Sequence, residues 1–116
     1  AAVSGLQGYS KFGNRRSESR DGHIFASKRE MLRYEELLIL QAAGEIEGLT
    51  LQARYPLVVN KVKVGTYVAD FVYREGPSRG SGERPVIEDV KGIRTPVYRL
   101  KAKLVKALYD VDILET

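Results

Sequence analysis

The sequence predicts an α/β fold in which helices flank a small mixed β-sheet, with the elements in the order α-β-β-β-α-β. Two segments have apolar residues at helical spacing and begin after a capping residue. Between them lie three apolar segments rich in Val, Leu and Tyr, separated by Gly-, Asn- and Pro-containing turns that are typical of strand connections. With 116 residues, the chain is long enough for one hydrophobic core and too short for two.

Both predicted helices have clear start signals. The first begins after Ser27, a favourable N-cap, and runs to about Ala43, where Gly44 ends it. The second begins at Pro96 after the N-cap Thr95, a pairing that helix N-termini favour. The predicted apolar stripe of the first helix comprises Met31, Tyr34, Leu37, Leu38, Ile39, Leu40 and Gln41. That of the second comprises Val97, Leu100, Leu104 and Leu108.

The three central strands are predicted over residues 49–59, 66–74 and 86–91, and a last short strand over 111–114. Pro56 favours an edge position or a bulge for the first strand, because proline cannot donate a ladder hydrogen bond. Residues 60–65 are predicted to form a turn, and residues 75–84 a loop rich in Gly, Ser and Pro.

Composition and charge restrict the classes of function. The chain carries a net charge of +4, one histidine (His23) and no cysteine. Thiolate metal sites, cysteine nucleophiles and metal centres built from several histidines are therefore excluded, while the positive charge modestly favours a polyanionic partner. No apolar run is long enough to span a bilayer, so we expect no membrane partner. The lack of cysteine suits a cytoplasmic protein.

Basic residues concentrate in two places. Residues 1–22 are predicted to form a flexible basic arm, in which Arg15 and Arg16 are candidate nucleic-acid contacts, and residues 23–116 a single domain. On the second helix, Arg99, Lys103 and Lys106 share one face and Lys101 lies at its flank. A solvated helix face is the simple interpretation of these residues, and contact with phosphate is the functional one.

The candidate chemistry lies on two neighbouring strands. Asp70 interrupts an otherwise apolar strand, where a carboxylate is costly to bury unless it is paired or bound to a cation. Because side chains alternate along a strand, Asp89 and Lys91 should point to one face and Glu88 to the other. If the two strands are neighbours, Asp70 and Asp89 meet, and Mg²⁺ or Mn²⁺ relieves their repulsion. A lysine beside such a cation suits phosphodiester hydrolysis.

An Asp on one apolar strand, followed by Asp-Val-Lys on the next, resembles the signature of the PD-(D/E)xK nuclease superfamily, whose usual Pro is replaced here by Ala69. The chain from Phe25 onward is also similar to a small phage-encoded nuclease-like family related to Holliday-junction resolvases. The matching motifs are Phe25-x-Ser-Lys-x-Glu30, Arg33-Tyr34, Tyr67-x-Ala-Asp-Phe71 and Val86-x-Glu-Asp-Val-Lys-Gly92.

The resemblance implies a restriction-endonuclease-like core and a Mg²⁺-dependent endonuclease that cuts DNA, in particular branched DNA, as a homodimer, with no small-molecule cofactor. It further implies metal ligation by Asp70, Asp89 and the carbonyl of Val90, with Glu30 as a further ligand or water-positioning residue and Lys91 assisting the nucleophile. If the chain is phage-encoded, the host cytoplasm is the expected location.

Several alternatives remain open at this level. Glu30 forms a capping-box pattern with Ser27 and could be purely structural. Asp89 and Lys91 could form a plain same-face ion pair, and a register slip of one residue would exchange Asp89 for Glu88. The whole chain could instead be a non-catalytic nucleic-acid-binding protein or a phage assembly protein.

Overall fold

The computed structural model describes residues 16–91 and 94–116. In chain order the helices and strands are β1 (Ser17–Glu18), β2 (Ile24–Phe25), α1 (Lys28–Ala42), β3 (Ile46–Val59), β4 (Val62–Glu75), β5 (Val86–Asp89), α2 (Pro96–Tyr109) and β6 (Ile113–Glu115). One turn of 3-10 helix, Pro77–Arg79, lies in the loop before β5.

The main sheet has the strand order β3-β4-β5-β6. The pairs β3–β4 and β4–β5 are antiparallel, and β5–β6 is parallel, so the sheet is mixed. The predicted α/β fold is confirmed, and from α1 onward the elements follow the predicted order α-β-β-β-α-β. Pro56 lies on β3, which is an edge strand, as its missing N–H donor favours.

Side chains on the two faces of the sheet form two apolar clusters. The α1-side cluster contains Phe25, Tyr34, Leu37, Ile46, Phe71 and Tyr73. The α2-side cluster contains Leu57, Tyr67, Ala69, Ile87, Tyr98 and Val105. In β5, Ile87 packs in the α2-side cluster while Val86 packs against the other, so the two helices cover opposite faces.

The hairpin of β3 and β4 is longer than the sequence indicated. The predicted six-residue turn is reduced to Asn60 and Lys61, which both have positive φ, and Val62 already pairs with Val59. Positive φ at both central residues is the conformation whose twist matches that of the flanking strands. The valines around this turn therefore continue the ladder instead of forming a loop.

The two predicted apolar stripes needed correction. On α1, Ile39 is 70% exposed, although Tyr34 and Leu37 are buried as expected. On α2 the buried residues are Tyr98 and Val105, whereas Val97, Leu100 and Leu108 are exposed. On α2, the predicted set and the buried set both recur at helical spacing, and the sheet packs against the set that contains Tyr98. No helix in the described part of the chain is long and apolar enough to cross a membrane.

Much of the predicted arm, including Arg15, lies outside the described residues. Its last part forms a small hairpin in which Ser17 pairs with Phe25 and Glu18 with Ile24. Asp21 accepts hydrogen bonds from Ser19 Oγ, at 2.5 Å, and from the Tyr34 hydroxyl of α1. The ordered fold thus begins before residue 23.

Candidate active site

The ladder between β4 and β5 ends where the two predicted carboxylates lie. The last paired residues are Phe71 and Glu88, so Asp70 and Asp89 would follow next. Asp70 instead uses its side chain, and its Oδ2 accepts a hydrogen bond from the Val90 amide at 2.9 Å. The backbones therefore separate at this point, and both carboxylates lie at the opening.

The alternation of side chains in β4 shifts at Asp70. Tyr67 and Ala69 pack in the α2-side cluster, whereas Phe71 and Tyr73 pack in the α1-side cluster. Residues two or four apart in a regular strand share one face, so one irregularity lies between Ala69 and Phe71. On β3, the facing residue Gln52 has a φ of +50°, which is rare outside glycine. Irregular strand geometry of this kind is common beside functional sites.

A pocket of about 370 Å³ lies beside the point where β4 and β5 separate. It gathers predicted site residues from both helices and two strands. Its predicted members are Glu30, Asp70, Asp89, Val90, Lys91 and Lys101. The remaining lining residues are Thr66, Tyr67, Val68, Thr95, Val97 and Tyr98.

Asp89 is almost fully buried in this pocket. The Tyr67 hydroxyl donates to its Oδ2 at 2.6 Å, and the Lys91 ammonium lies 3.1 Å from its Oδ1. Burial, together with a hydrogen bond and charge repulsion from Asp70, raises the pKa of Asp89 to about 6. Asp89 therefore holds its proton to a higher pH than a solvated carboxyl does, and once ionised it is repelled by Asp70.

Glu30 lies in the first turn of α1 and points into the same pocket. The Ser27 hydroxyl accepts a hydrogen bond from the Glu30 amide at 3.2 Å, which is one half of the predicted capping box. Burial raises the pKa of the Glu30 carboxyl, the charge of Asp70 raises it further, and Lys91 lowers it. Glu30 can therefore take part in the helix cap through its amide and line the pocket with its carboxyl group.

Glu88, the alternative ligand, faces away from the pocket and is fully buried on the α1 side. Its carboxylate accepts two hydrogen bonds from the Arg33 guanidinium, at 2.6 and 2.9 Å, and one from the Tyr73 hydroxyl at 2.7 Å. The Thr116 hydroxyl lies 3.1 Å away from it. Glu88 is therefore a structural anchor between α1 and the sheet, and Asp89 is the strand residue in the pocket.

The predicted basic residues are divided between different surfaces. Lys101 lines the pocket together with Lys91, whereas Lys103 and Lys106 line a separate cavity on the other flank of α2. Lys106 also pairs with Asp110 and Asp112, at 3.4 and 3.3 Å. The other two described members of the predicted set are Arg99, which is exposed, and Arg16, which is half-buried.

The sequence-based prediction did not include six of the lining residues, and two of these, Tyr67 and Tyr98, contact predicted site residues. Tyr67 is three positions before Asp70, so regular alternation would put it on the opposite face. Tyr98 adjoins the predicted stripe of α2 without belonging to it, and Lys91 Nζ lies 3.9 Å from its ring centroid. The repeat of Tyr98, Ala102 and Val105 at helical spacing was the available signal for this face.

The carboxylates of the pocket are oxygen donors of the type that hard divalent cations prefer. Within residues 16–91 and 94–116, no group of three or more His, Asp or Glu side chains is arranged to hold a metal ion. Asp70 and Asp89 nevertheless supply two oxygen ligands whose mutual repulsion a cation would relieve. Mg²⁺ commonly binds through one or two carboxylates, with water and phosphate completing its octahedron.

Comparisons with curated proteins and with solved structures gave no match. The model of the family described as "Protein of unknown function (DUF1064)" matches residues 9–114, a span that includes every pocket residue. The chain therefore belongs to the DUF1064 family.

Proposed function

We propose that this chain is a metal-dependent endonuclease that hydrolyses DNA phosphodiester bonds, with a restriction-endonuclease-like core. The observation that carries the proposal is the convergence of Glu30, Asp70, Asp89 and Lys91 in one pocket. These residues come from α1, β4 and the end of β5, so no short sequence motif alone brings them together. The arrangement resembles the PD-(D/E)xK signature in both residue type and order.

Asp70 and Asp89 would hold Mg²⁺ or Mn²⁺, with the Val90 carbonyl as a further oxygen donor. When bound, such a cation lowers the pKa of water and neutralises charge on the scissile phosphate. Tyr67 fixes one oxygen of Asp89, which leaves the orientation of the carboxylate defined before the cation arrives. Glu30 would complete the ligand set through water.

The hydrolytic step forms a bond between a water oxygen and phosphorus and breaks the bond to the leaving ester oxygen. Glu30 is the candidate acceptor for the water proton, because its raised pKa lies closer to neutrality than that of a solvated carboxyl. Lys91 would donate to a phosphate oxygen and stabilise the charge that builds up on it. The leaving oxygen takes a proton from solvent.

Lys101 extends the positive charge of the pocket and would contact a flanking phosphate. We propose that the substrate is recognised by its shape, such as a branch, and not by its base sequence. A symmetric homodimer with one site per strand would suit that substrate. We expect it to act in the cytoplasm, that of the host if the chain is phage-encoded.

The direct test is Mg²⁺-dependent cleavage of an end-labelled four-way junction and its matched linear duplex. Asp89→Asn removes one charge from the proposed metal site, while Asp112→Asn, an exposed carboxylate outside this pocket, is the matched control. Cleavage by the wild type and the control, lost in Asp89→Asn, is the expected result. Equal cutting of both substrates would support the nuclease activity and contradict specificity for branched DNA.

Absence of cutting with both Mg²⁺ and Mn²⁺ would contradict the nuclease proposal. Salt-sensitive DNA binding by the same protein would then favour the alternative of a non-catalytic nucleic-acid-binding module, because phosphate contacts weaken as salt rises. Absent or salt-insensitive binding would favour an assembly protein. Calorimetric titration with Mn²⁺ separates these cases further, since only the nuclease proposal requires affinity that is lost in Asp89→Asn.

A further inference from the structure

We propose that Tyr98 is a positioning residue for Lys91, which it holds over the pocket by a cation–π contact. This inference rests on the proposed nuclease function and concerns a tyrosine that lies outside the Asp-x-Lys signature. The Lys91 ammonium lies between two partners, the Asp89 carboxylate at 3.1 Å and the Tyr98 ring, whose centroid is 3.9 Å away.

The Tyr98 ring is itself held in place. Its hydroxyl donates to Glu115 Oε2 at 2.8 Å. The other oxygen of Glu115 accepts from Arg94 Nε at 2.7 Å and lies 2.6 Å from Arg94 Nη2. The ring is 8% exposed, so it has little freedom to turn. Arg94, Glu115 and Tyr98 thus form a chain of contacts that ends at the Lys91 ammonium.

The segment formed by β6 and the residue after it, Thr116, also holds the backbone of Lys91. Glu115 lies opposite Asp89 in the parallel ladder, and the Lys91 amide donates to the Thr116 carbonyl at 3.1 Å. The backbone of Lys91 is therefore held by Thr116, which follows β6. Its side chain is held by Tyr98, which is itself bonded to Glu115 of β6. This arrangement answers a specific need, because a lysine side chain has four flexible carbons and loses much conformational freedom when it is fixed.

A carboxylate alone would hold the ammonium poorly for catalysis. In the proposed function Asp89 also binds the cation, which competes with Lys91 for the same oxygens. The Tyr98 ring is uncharged and does not bind Mg²⁺, so its attraction to the ammonium persists when the metal is present. The ring would keep Lys91 beside the pocket while Asp89 holds the cation.

The first test measures the contact itself, without reference to cleavage. In protein labelled with ¹³C-lysine, the ring current of Tyr98 should shift the Cε–H signal of Lys91 upfield; Lys91→Arg identifies that signal by its loss. Tyr98→Leu should return the signal to the position of the exposed lysines. Tyr98→Phe should keep most of the shift, because the ring stays buried although its hydrogen bond to Glu115 is lost.

The second test measures cleavage with the same variants. Tyr98→Leu should lower kcat by on the order of tenfold to a hundredfold with little change in KM, as expected for a misplaced catalytic group. Tyr98→Phe should stay close to the wild type, and Mn²⁺ affinity should be unchanged in both. Tyr109→Leu, on the same helix but outside this pocket, controls for a general weakening of α2.

A Lys91 signal that is the same in wild type and Tyr98→Leu would overturn the proposal, as would unchanged kcat in Tyr98→Leu. If Tyr98→Leu does not fold, an unshifted signal or a low kcat in Tyr98→Phe would overturn it equally. The underlying nuclease function fails separately. If the Lys91 signal depends on Tyr98 but the wild type cuts neither substrate, the contact exists and the nuclease function is wrong.

Discussion

Replacing Asp89 by Asn should make the metal-free protein more stable at neutral pH. The ionised carboxylate is buried beside Asp70, and these two causes raise the pKa of Asp89 to about 6, from 3.8 for an unfolded chain. Asparagine has the same shape and can still accept the hydrogen bond from Tyr67, yet it carries no charge to repel Asp70. The substitution therefore removes the unfavourable feature of the site and leaves its packing in place.

The magnitude follows from the difference in pKa between the two states. One pKa unit corresponds to about 1.4 kcal/mol, so a rise from 3.8 to about 6 corresponds to roughly 3 kcal/mol. Because the folded-state pKa is raised, the protonated form stabilises the fold fully below pH 3.8. This contribution is lost as the pH rises through 6. We therefore expect the wild type to lose roughly 3 kcal/mol between these limits and Asp89→Asn to lose much less.

The assay is thermal unfolding of the wild type, Asp89→Asn and the exposed control Asp112→Asn from pH 4 to pH 8, with a chelator present. For a domain of this length, roughly 3 kcal/mol corresponds to a difference in Tm on the order of 10 °C at pH 8. Mg²⁺ at ten times its Kd should then raise the stability of the wild type by about 1.4 kcal/mol and leave Asp89→Asn unchanged.

Parallel pH profiles for the wild type and Asp89→Asn would refute this reasoning, since they would mean that Asp89 binds no extra proton in the folded state. A lower Tm for Asp89→Asn at pH 8 would show that the Asp89–Lys91 ion pair outweighs the repulsion from Asp70. Either result would favour a purely structural role for the carboxylates of the pocket.

Three further predictions concern other residues. Lys91→Ala should abolish cleavage and leave DNA affinity nearly unchanged, which a cleavage assay paired with fluorescence anisotropy can check; cleavage at the wild-type rate would remove its assigned role. Arg33→Ala should destabilise the fold by about 3–5 kcal/mol, measured by urea unfolding, because it leaves the buried Glu88 carboxylate without its guanidinium partner; a loss below about 1 kcal/mol would show that Glu88 gains a proton or water instead. Lys101→Ala should weaken DNA binding and reduce the slope of log affinity against log salt by about one, whereas an unchanged slope would place the backbone of the DNA elsewhere.

Local patterns of the sequence were enough to predict most of the fold. Ser27 and Thr95 cap the two helices as expected, because a capping hydroxyl acts on amides only two or three residues away. The alternation in β5 likewise predicted that Asp89 would face opposite to Glu88. Interactions of this range are encoded in neighbouring residues and can be recognised without knowledge of the tertiary structure.

The helix faces could not be chosen in this way. On α2, both the stripe that begins at Val97 and the one that begins at Tyr98 have helical spacing, and only the sheet decides between them. The phase shift at Asp70 was equally hidden, because no local pattern in β4 indicates it; on β3, the facing residue Gln52 adopts a positive φ. That shift is what lets Tyr67 reach Asp89.

The sequence by itself determined the residue types of the site and their order: Glu30 after a cap, Asp70 in an apolar strand, then Asp89 and Lys91. Only the tertiary structure decided which groups surround them. It separated Glu88 from the pocket by burying it against Arg33, divided the basic residues of α2 between two cavities, and placed the Tyr98 ring on Lys91. The physical reason is that these contacts join different elements, such as Arg33 and Glu88, which are 55 residues apart. Their energies also depend on burial, which exists only once the sheet and both helices are packed.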